Sequence, residues 1–87
     1  MKQKTIYDGE KYKFSKDDGY CECVFNNIDF TKHFTPSEVI GFGKCKFTNC
    51  ILSEGALIVL GTMDNCVLPK EILPSLVEVR ITHCKIQ

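Results

Sequence analysis

Apolar and small side chains recur along this chain with one spacing, at offsets 0, 3, 5, 8 and 10 within each of four segments. Each segment is too short to bury its own apolar side chains, so the segments must stack and share one core. The pattern therefore predicts a mainly β fold, a short parallel β-solenoid in which every repeat is a short strand followed by a corner. The inward positions are Tyr20, Cys23, Phe25, Ile28 and Phe30; Phe42, Cys45, Phe47, Cys50 and Leu52; Ile58, Gly61, Met63, Cys66 and Leu68; Leu76, Val79, Ile81, Cys84 and Ile86.

A second column supports the same register. Asn27, Asn49 and Asn65 fall at one position of successive repeats, and His83 takes that position in the last repeat. Asparagine tolerates the left-handed backbone conformation and hydrogen-bonds neighbouring turns. We therefore expect these residues to form a ladder at a corner of the solenoid, where they satisfy backbone groups that a tight bend leaves unpaired.

The first 19 residues have a different pattern and predict a cap. Side chains alternate around Asp8-Gly9, a dipeptide that favours a two-residue β-hairpin turn. The sequence therefore predicts an N-terminal β-hairpin over residues 1–19 that covers one end of the core. The side chains available for this are Ile6, Tyr12 and Phe14.

The whole chain, residues 1–87, is predicted to form a single domain, with the hairpin followed by four stacked repeats over residues 20–87. The repeats are joined by connections of unequal length. Residues 35–38, Thr-Pro-Ser-Glu, have a capping residue, a proline and a glutamate that can reach back, so they predict a helical turn. Residues 69–74 predict another short helical turn between two prolines, whereas residues 53–57 can hold only a bend.

The charges balance, because 11 basic and 11 acidic residues give a net charge of +0. No overall field would attract nucleic acid or an anionic membrane. The longest apolar run, residues 56–60, is far shorter than a membrane span of roughly 18 residues. The basic start lacks the apolar stretch of a secretion signal, so a soluble cytoplasmic protein without membrane contact is expected.

Six cysteines are many for 87 residues. Five of them occupy inward columns, which favours reduced cysteine as a compact core residue in a reducing compartment. The alternative is a zinc site, with Cys21 and Cys23 or Cys45 and Cys50 as ligand pairs. Those spacings lack the paired C-x2-C arrangement of zinc ribbons, so no metal and no cofactor are expected.

Two family resemblances follow from the repeats. Residues 76–86, preceded by Leu73 and Pro74, resemble the L-x-x-L-x-L-x-x-N/C-x-L segment of leucine-rich repeats, and the resemblance extends over residues 20–86. Residues 23–32 and 45–54 are similar instead to tandem pentapeptide repeats. Both resemblances imply stacked parallel strands, and the cross-section of the solenoid stays open between them.

Catalytic chemistry has little support in the sequence. No P-loop, G-x-S-x-G, H-E-x-x-H or G-x-G-x-x-G motif is present. His83 adjoins Cys84, but the register turns Cys84 inward and His83 into the corner, which separates a nucleophile from its base. His33 lies in the longest connection and is expected to be a solvated loop residue. The sequence therefore predicts a protein that is not an enzyme.

The side chains between the inward positions should face outward and stack into two adjacent columns across the sheet. A mixed, solvated face with charge pairs such as Glu22 with Lys44 is one interpretation. The other is a partner-binding site centred on Lys46, Leu60 and Arg80, because arginine beside apolar surface is typical of binding hot spots. The two columns are Val24, Lys46, Thr62 and Arg80, and Glu22, Lys44, Leu60 and Glu78.

Two functions follow from this surface as hypotheses. The first is a protein-interaction module, and a short chain without catalytic groups resembles in kind the phage-encoded inhibitors of host or defence complexes. The second is nucleic-acid binding through Lys44, Lys46 and Arg80, and the balanced charge counts against it. The N-terminal segment would add Lys11, Lys13 and Lys16.

The last repeat also carries an expectation, because nothing in the sequence is available to cover it. Its unpaired strand should be a partner edge, most simply for a homodimer with two-fold symmetry. The residues of this edge are Leu76, Val79 and Ile81.

Overall fold

The computed structural model describes residues 1–87 and shows a parallel β-solenoid, as the spacing predicts. Every strand pairs in parallel with the strand one coil away, and no antiparallel pair occurs. The chain makes five turns around one core. We number these coils 1 to 5, and they comprise residues 1–19, 20–39, 40–55, 56–75 and 76–87.

Three sheets run along the solenoid, and a fourth side consists of the connections between coils. Sheet 1 contains β1 (Lys2–Gln3), β3 (Tyr20–Cys21), β5 (Ile40–Gly43), β7 (Ala56–Val59) and β10 (Leu76–Val77). Sheet 2 contains β2 (Ile6–Asp8), β4 (Val24–Asn26), β6 (Lys46–Thr48), β8 (Thr62–Asp64) and β11 (Arg80–Thr82). Sheet 3 contains β9 (Val67–Leu68) and β12 (Lys85–Ile86), and single-residue bridges extend it through Ile51 to Asp29.

Left-handed residues turn the chain between the sheets. The corner between sheets 2 and 3 contains the predicted column, Asn27, Asn49, Asn65 and His83, with φ between 52° and 58°. The Asn49 side-chain amide donates to Oδ1 of Asn27 at 3.2 Å, and the Asn65 amide donates to Oδ1 of Asn49. The predicted asparagine ladder is confirmed, but its side chains are exposed and hydrogen-bond to other side chains, so the expectation that they satisfy backbone groups is wrong. His83 shares the column but contacts Asp64 and not Asn65.

The core contains the side chains that the spacing selects. All five inward positions in coils 2, 3 and 4 are buried, and Phe25, Phe47 and Ile58 are completely so. Tyr7, Phe25 and Phe47 stack face to face through three coils, with 5.2 Å between successive ring centroids. Aromatic side chains thus fill the N-terminal half of the core, and aliphatic side chains follow them in coils 4 and 5.

The prediction of an N-terminal β-hairpin is wrong. β1 and β2 do not pair with each other, because they lie in different sheets and pair in parallel with β3 and β4. Residues 1–19 therefore form a fifth coil instead of a separate cap, and the solenoid has five repeats. Gly9, with φ of 90°, occupies the corner that asparagine occupies in the next coils.

The N-terminal end of the core is nevertheless covered, as the sequence predicts for two of the three side chains. Tyr12 and Phe14 are partly buried against the core and contact the ring of Tyr7 edge-on. Ile6, the third side chain, points outward from β2 and is 67% exposed. Tyr7 takes the inward position that the hairpin interpretation assigned to Ile6.

The connections differ as predicted. A 3-10 turn, Phe30–Lys32, begins the connection of coil 2, and a 3-10 helix, Lys70–Ser75, forms that of coil 4. Residues 35–38 form a single hydrogen-bonded turn and not the predicted helical turn, which lies earlier, at Phe30–Lys32. The Glu38 carboxylate reaches back as expected and accepts a 2.7 Å hydrogen bond from the Thr35 backbone N–H, which lowers the pKa of Glu38. Coil 3 has only a short bend before Ala56. No helix in the structure has both the length and the apolar character needed to span a bilayer.

Candidate functional site

One predicted column lies on the outer face of sheet 2. Val24, Lys46, Thr62 and Arg80 are paired in register across four neighbouring strands, so they form one continuous row. Lys46, Thr62 and Arg80 line a shallow depression on this face. The sequence therefore places these four side chains correctly relative to one another.

Charges of both signs face this depression. Asp64 lies between the strands that carry Lys46 and Arg80, and its Oδ1 accepts hydrogen bonds from Thr82 at 2.8 Å and from His83 at 3.1 Å if that nitrogen carries the proton. These contacts, above all the one with His83, lower the pKa of the Asp64 carboxyl. The depression is thus an electrostatically mixed surface, with cations on either side of an aspartate.

The second predicted column does not lie on a sheet. Glu22, Lys44, Leu60 and Glu78 occupy the corner between sheets 1 and 2, where each has a left-handed backbone with φ between 52° and 58°. The expectation of two adjacent columns across one sheet is therefore wrong. No ion pair joins Glu22 to Lys44, since the ion pairs of the structure involve Glu10 and Asp64.

An apolar surface that the sequence analysis did not predict covers the outer side of sheet 1. Leu57, Val59 and Val77 point outward there and are 43%, 41% and 51% exposed. Gly41 and Gly43 lie beside Leu57 and Val59 on the neighbouring strand, and a Cβ atom at either glycine would meet nothing within 4 Å. We call these five residues the apolar face: a ridge of aliphatic side chains next to an open shelf of backbone.

A signal for the apolar face exists in the sequence. Residues 56–60 are apolar at every position, whereas a strand with one solvated face alternates apolar and polar residues. A continuous apolar run indicates a strand covered on both sides. In the structure the inner side of β7 is covered by the core and its outer side is not.

The last coil has open strand edges. β10, β11 and β12 each end their sheet and have no partner on the far side. Leu76 and Val79 are only partly buried, and Ile81 is 38% exposed, although the equivalent side chains of coil 4 are buried. The three predicted edge residues therefore lie together at this end of the core.

The histidines do not form a catalytic pair with a cysteine. The Cys84 thiol donates to the Thr82 carbonyl at 3.3 Å, and its pKa is raised by burial. The His83 ring lies beside Asp64. The expectation that His33 is a solvated loop residue is wrong, because its side chain is only 15% exposed. It lies 3.1 Å from a Glu10 carboxylate oxygen and contacts the Phe14 ring edge-on, so it links coil 2 to coil 1.

The cysteines are free and lie mostly in the core. Cys23, Cys45, Cys50 and Cys66 are buried, and each thiol donates to the carbonyl two residues earlier, where the chain turns. Burial raises the pKa of Cys45 to about 11. The predicted packing role is therefore confirmed for these four thiols, and Cys21 faces outward on sheet 1.

No protein-family model matches the chain, and no characterised protein matches it at a significant level.

Proposed function

We propose that this chain is a non-enzymatic protein-binding module and that the apolar face is its contact surface. The observation that carries the proposal is β7, which is apolar on both sides but covered on only one. Stacked parallel strands hold the ridge and the shelf in a rigid, extended array, and repeat proteins commonly bind partners through such surfaces.

Burial energetics support this choice of face. Leu57, Val59 and Val77 retain roughly half of their exposure, so covering each would contribute about 1 kcal/mol. The polar row on sheet 2 offers no such gain, because Lys46, Asp64 and Arg80 lose hydration when they are covered. The apolar face therefore provides the affinity, and neighbouring charges at the corner form the rim.

The proposed occupant is a protein with a flat surface that presents aliphatic or aromatic side chains. Such side chains would lie over Gly41 and Gly43, where the open shelf allows close approach, and would contact the ridge from the side. Inhibition of a larger host or defence complex would follow if the occupied surface is one that the complex needs. The proposed setting is the cytoplasm, since free thiols persist in a reducing compartment.

A charge on the ridge tests the proposal. Val59→Glu should abolish capture of the partner from the source cell, while Thr62→Glu, on the outer face of sheet 2, should not. The partner captured by the unmodified chain is then purified, and its Kd is measured with both variants after circular dichroism has shown that each is folded. We expect a loss of at least roughly tenfold for Val59→Glu alone. Equal affinity of the two variants would refute the apolar face as the contact surface.

The alternative, nucleic-acid binding, has a specific test. Lys46 and Arg80 share one row, and Lys44 lies at the adjoining corner. If these residues bind phosphates, anisotropy titrations with DNA and RNA oligonucleotides should show affinity that falls steeply with added salt and is lost in Lys46→Ala/Arg80→Ala. That result, with Val59→Glu unaffected, would replace the protein-binding proposal.

We also propose that a second copy of the chain covers the open edges of coil 5. A two-fold axis perpendicular to the solenoid would set facing strands antiparallel, so that β11 pairs with β11 of the other copy around Ile81. This arrangement satisfies the unpaired backbone groups and buries Leu76 and Val79 together.

A further inference from the structure

A groove on the fourth side of the solenoid is the strongest feature that the proposed function does not use. It exists because successive connections differ in length. The connections of coils 2 and 4 bulge outward, while coil 3 crosses between them with a short bend. The bend is held deep by close packing, since a Cβ atom on Gly55 would lie 1.9 Å from the Glu38 carbonyl oxygen.

The groove has an apolar floor and acidic walls. Its volume is about 370 Å³, at the small end of the range for binding sites. The lining apolar residues are Phe34, Pro36, Ile51, Leu52, Val67 and Pro69. Glu54 and Glu71 line it from coils 3 and 4, and both carboxylates are exposed and outside every ion pair of the structure. No lysine or arginine is among the lining residues.

Ser53 provides an independent sign of a ligand. This residue lines the groove and is only 2% exposed, yet its hydroxyl has no hydrogen-bond partner. An unpaired buried hydroxyl costs free energy, and native structures rarely keep one without a use. Because Ser53 lines the groove, a polar group of a molecule bound there would supply the missing partner.

We propose that this groove binds the side chain of a lysine or arginine that belongs to an extended segment of a partner protein. The aliphatic stem would lie on the apolar floor, and the charged end would meet Glu54 and Glu71. This inference rests on the proposed protein-binding role, but it concerns a different side of the molecule from the apolar face.

Amide NMR spectra of the isotope-labelled full chain test the groove directly. The charged probes are the N-acetyl methylamides of lysine and arginine. The control is the N-acetyl methylamide of norleucine, which has the same kind of aliphatic stem and no charge. We expect the charged probes to shift the amides of Ser53, Glu54 and Glu71 and the norleucine probe to leave them unchanged. Glu54→Gln/Glu71→Gln should raise the Kd of the charged probes roughly fivefold or more, while Glu22→Gln, at a distant corner, should not.

The variant Ser53→Ala provides a second test, because a purely structural role of the Ser53 hydroxyl would not produce the combination of effects expected here. It should raise the melting temperature, because it removes the unpaired hydroxyl, and at the same time weaken binding of the charged probes. A lower melting temperature would show that the hydroxyl already has a partner.

Three results would overturn the proposal. They are the absence of any shift at these amides, equal binding of the norleucine probe, and equal binding of pentylammonium, which would make the occupant a free amine. Val59→Glu distinguishes this inference from the proposed function. It should leave probe binding intact, so the groove and the apolar face can fail separately.

Discussion

At the scale of single residues, left-handed backbone conformations at two corners determine where the chain turns from one sheet to the next. Nine residues other than glycine have positive φ, and each coil contributes one at the corner between sheets 1 and 2. At the corner between sheets 2 and 3 asparagine predominates, and asparagine is a residue type that indicates the left-handed conformation. At the other corner the same conformation is adopted by Lys4, Glu22, Lys44, Leu60 and Glu78. None of those residue types favours it, so this second turn left no trace in the sequence.

The asparagine ladder gives a prediction at this scale. Asn49→Ala should lower the free energy of unfolding by about 1–2 kcal/mol, because it strains a left-handed backbone and removes two side-chain hydrogen bonds. Asn49→Gly should cost less, since glycine relieves the strain. Chemical denaturation measures both. Asn26→Ala, at the last residue of β4 and one position before the ladder residue Asn27, is the control and should change stability by less than about 0.5 kcal/mol. A loss there equal to that at Asn49 would mean that the ladder contributes nothing.

Thiol reactivity is a second prediction at the residue scale. With a pKa of about 11, Cys45 holds roughly one thiolate in a thousand near pH 8, and its sulfur is buried. The thiols of Cys23, Cys45, Cys50 and Cys66 are all buried, and burial shields them from the reagent. Iodoacetamide on the folded protein should therefore modify outward-facing Cys21 and spare these four until denaturant is added. Peptide mapping follows the sites, and native mass spectrometry of the same sample should show six thiols and no metal. A bound zinc ion or a disulfide would contradict the packing role.

At the scale of elements, close approach between coils fixes where glycine is required. Gly61 stands at an inward position where coils 2, 3 and 5 have cysteine or valine. A Cβ atom there would lie 2.7 Å from the Cys45 carbonyl oxygen and 3.3 Å from a methyl group of Ile58. Gly61 therefore lies at a point where coil 4 packs too closely on coil 3 for a side chain to fit.

This packing predicts opposite effects for two glycines of neighbouring elements. Gly61→Ala should destabilise the protein by about 1–3 kcal/mol through overpacking. Gly43→Ala, on β5, should be neutral or stabilising by up to about 1 kcal/mol, because its Cβ would meet open space and its φ is not positive. Thermal and urea unfolding of the two variants supply the comparison. Equal tolerance at both sites would show that the coils can separate at Gly61 without cost.

At the scale of the whole molecule, the two ends of the solenoid are unlike. Tyr12 and Phe14 close the N-terminal end over Tyr7, whereas Ile81 and Ile86 are 38% and 53% exposed at the other end. Apolar surface thus continues from sheet 1 around to the open edges of coil 5. One end of the core is therefore covered by side chains of the chain itself, and the other end has exposed apolar side chains and unpaired strand edges.

Self-association tests the open end. Light scattering over a micromolar range should show the mass rising from one chain to two, because strand edges and apolar side chains are covered together. Ile81→Lys and Val79→Lys should each abolish the rise. Ile6→Lys, which changes an isoleucine that is 67% exposed at the opposite end, should leave it intact. If the protein is monomeric throughout and the variants bind the partner as the unmodified chain does, the edge is not an interface.

The sequence by itself determined the inner surface of coils 2 to 4. All fifteen positions that the spacing selects from Tyr20 to Leu68 are buried, and the asparagine corner lies where the spacing predicts it. The spacing did not identify four further buried residues in this range, which are Phe34, Ile40, Ser53 and Ala56. It also selected the row Val24, Lys46, Thr62 and Arg80, because the inward register fixes the outward one.

Only the tertiary structure decided what happens at the end coil and on the outer faces. An end coil needs few buried side chains, so the apolar pattern of the repeat is absent from coil 1. There the same offsets fall on Lys2, Thr5, Tyr7, Glu10 and Tyr12. Gly9 gives the same local signal in a hairpin turn and in a solenoid corner, since both need positive φ. The difference lies in the pairing partner, which is β4 in the next coil. The groove likewise is formed by three connections that become neighbours only when the coils stack. No pattern within one of these segments predicts which other segments it will lie beside.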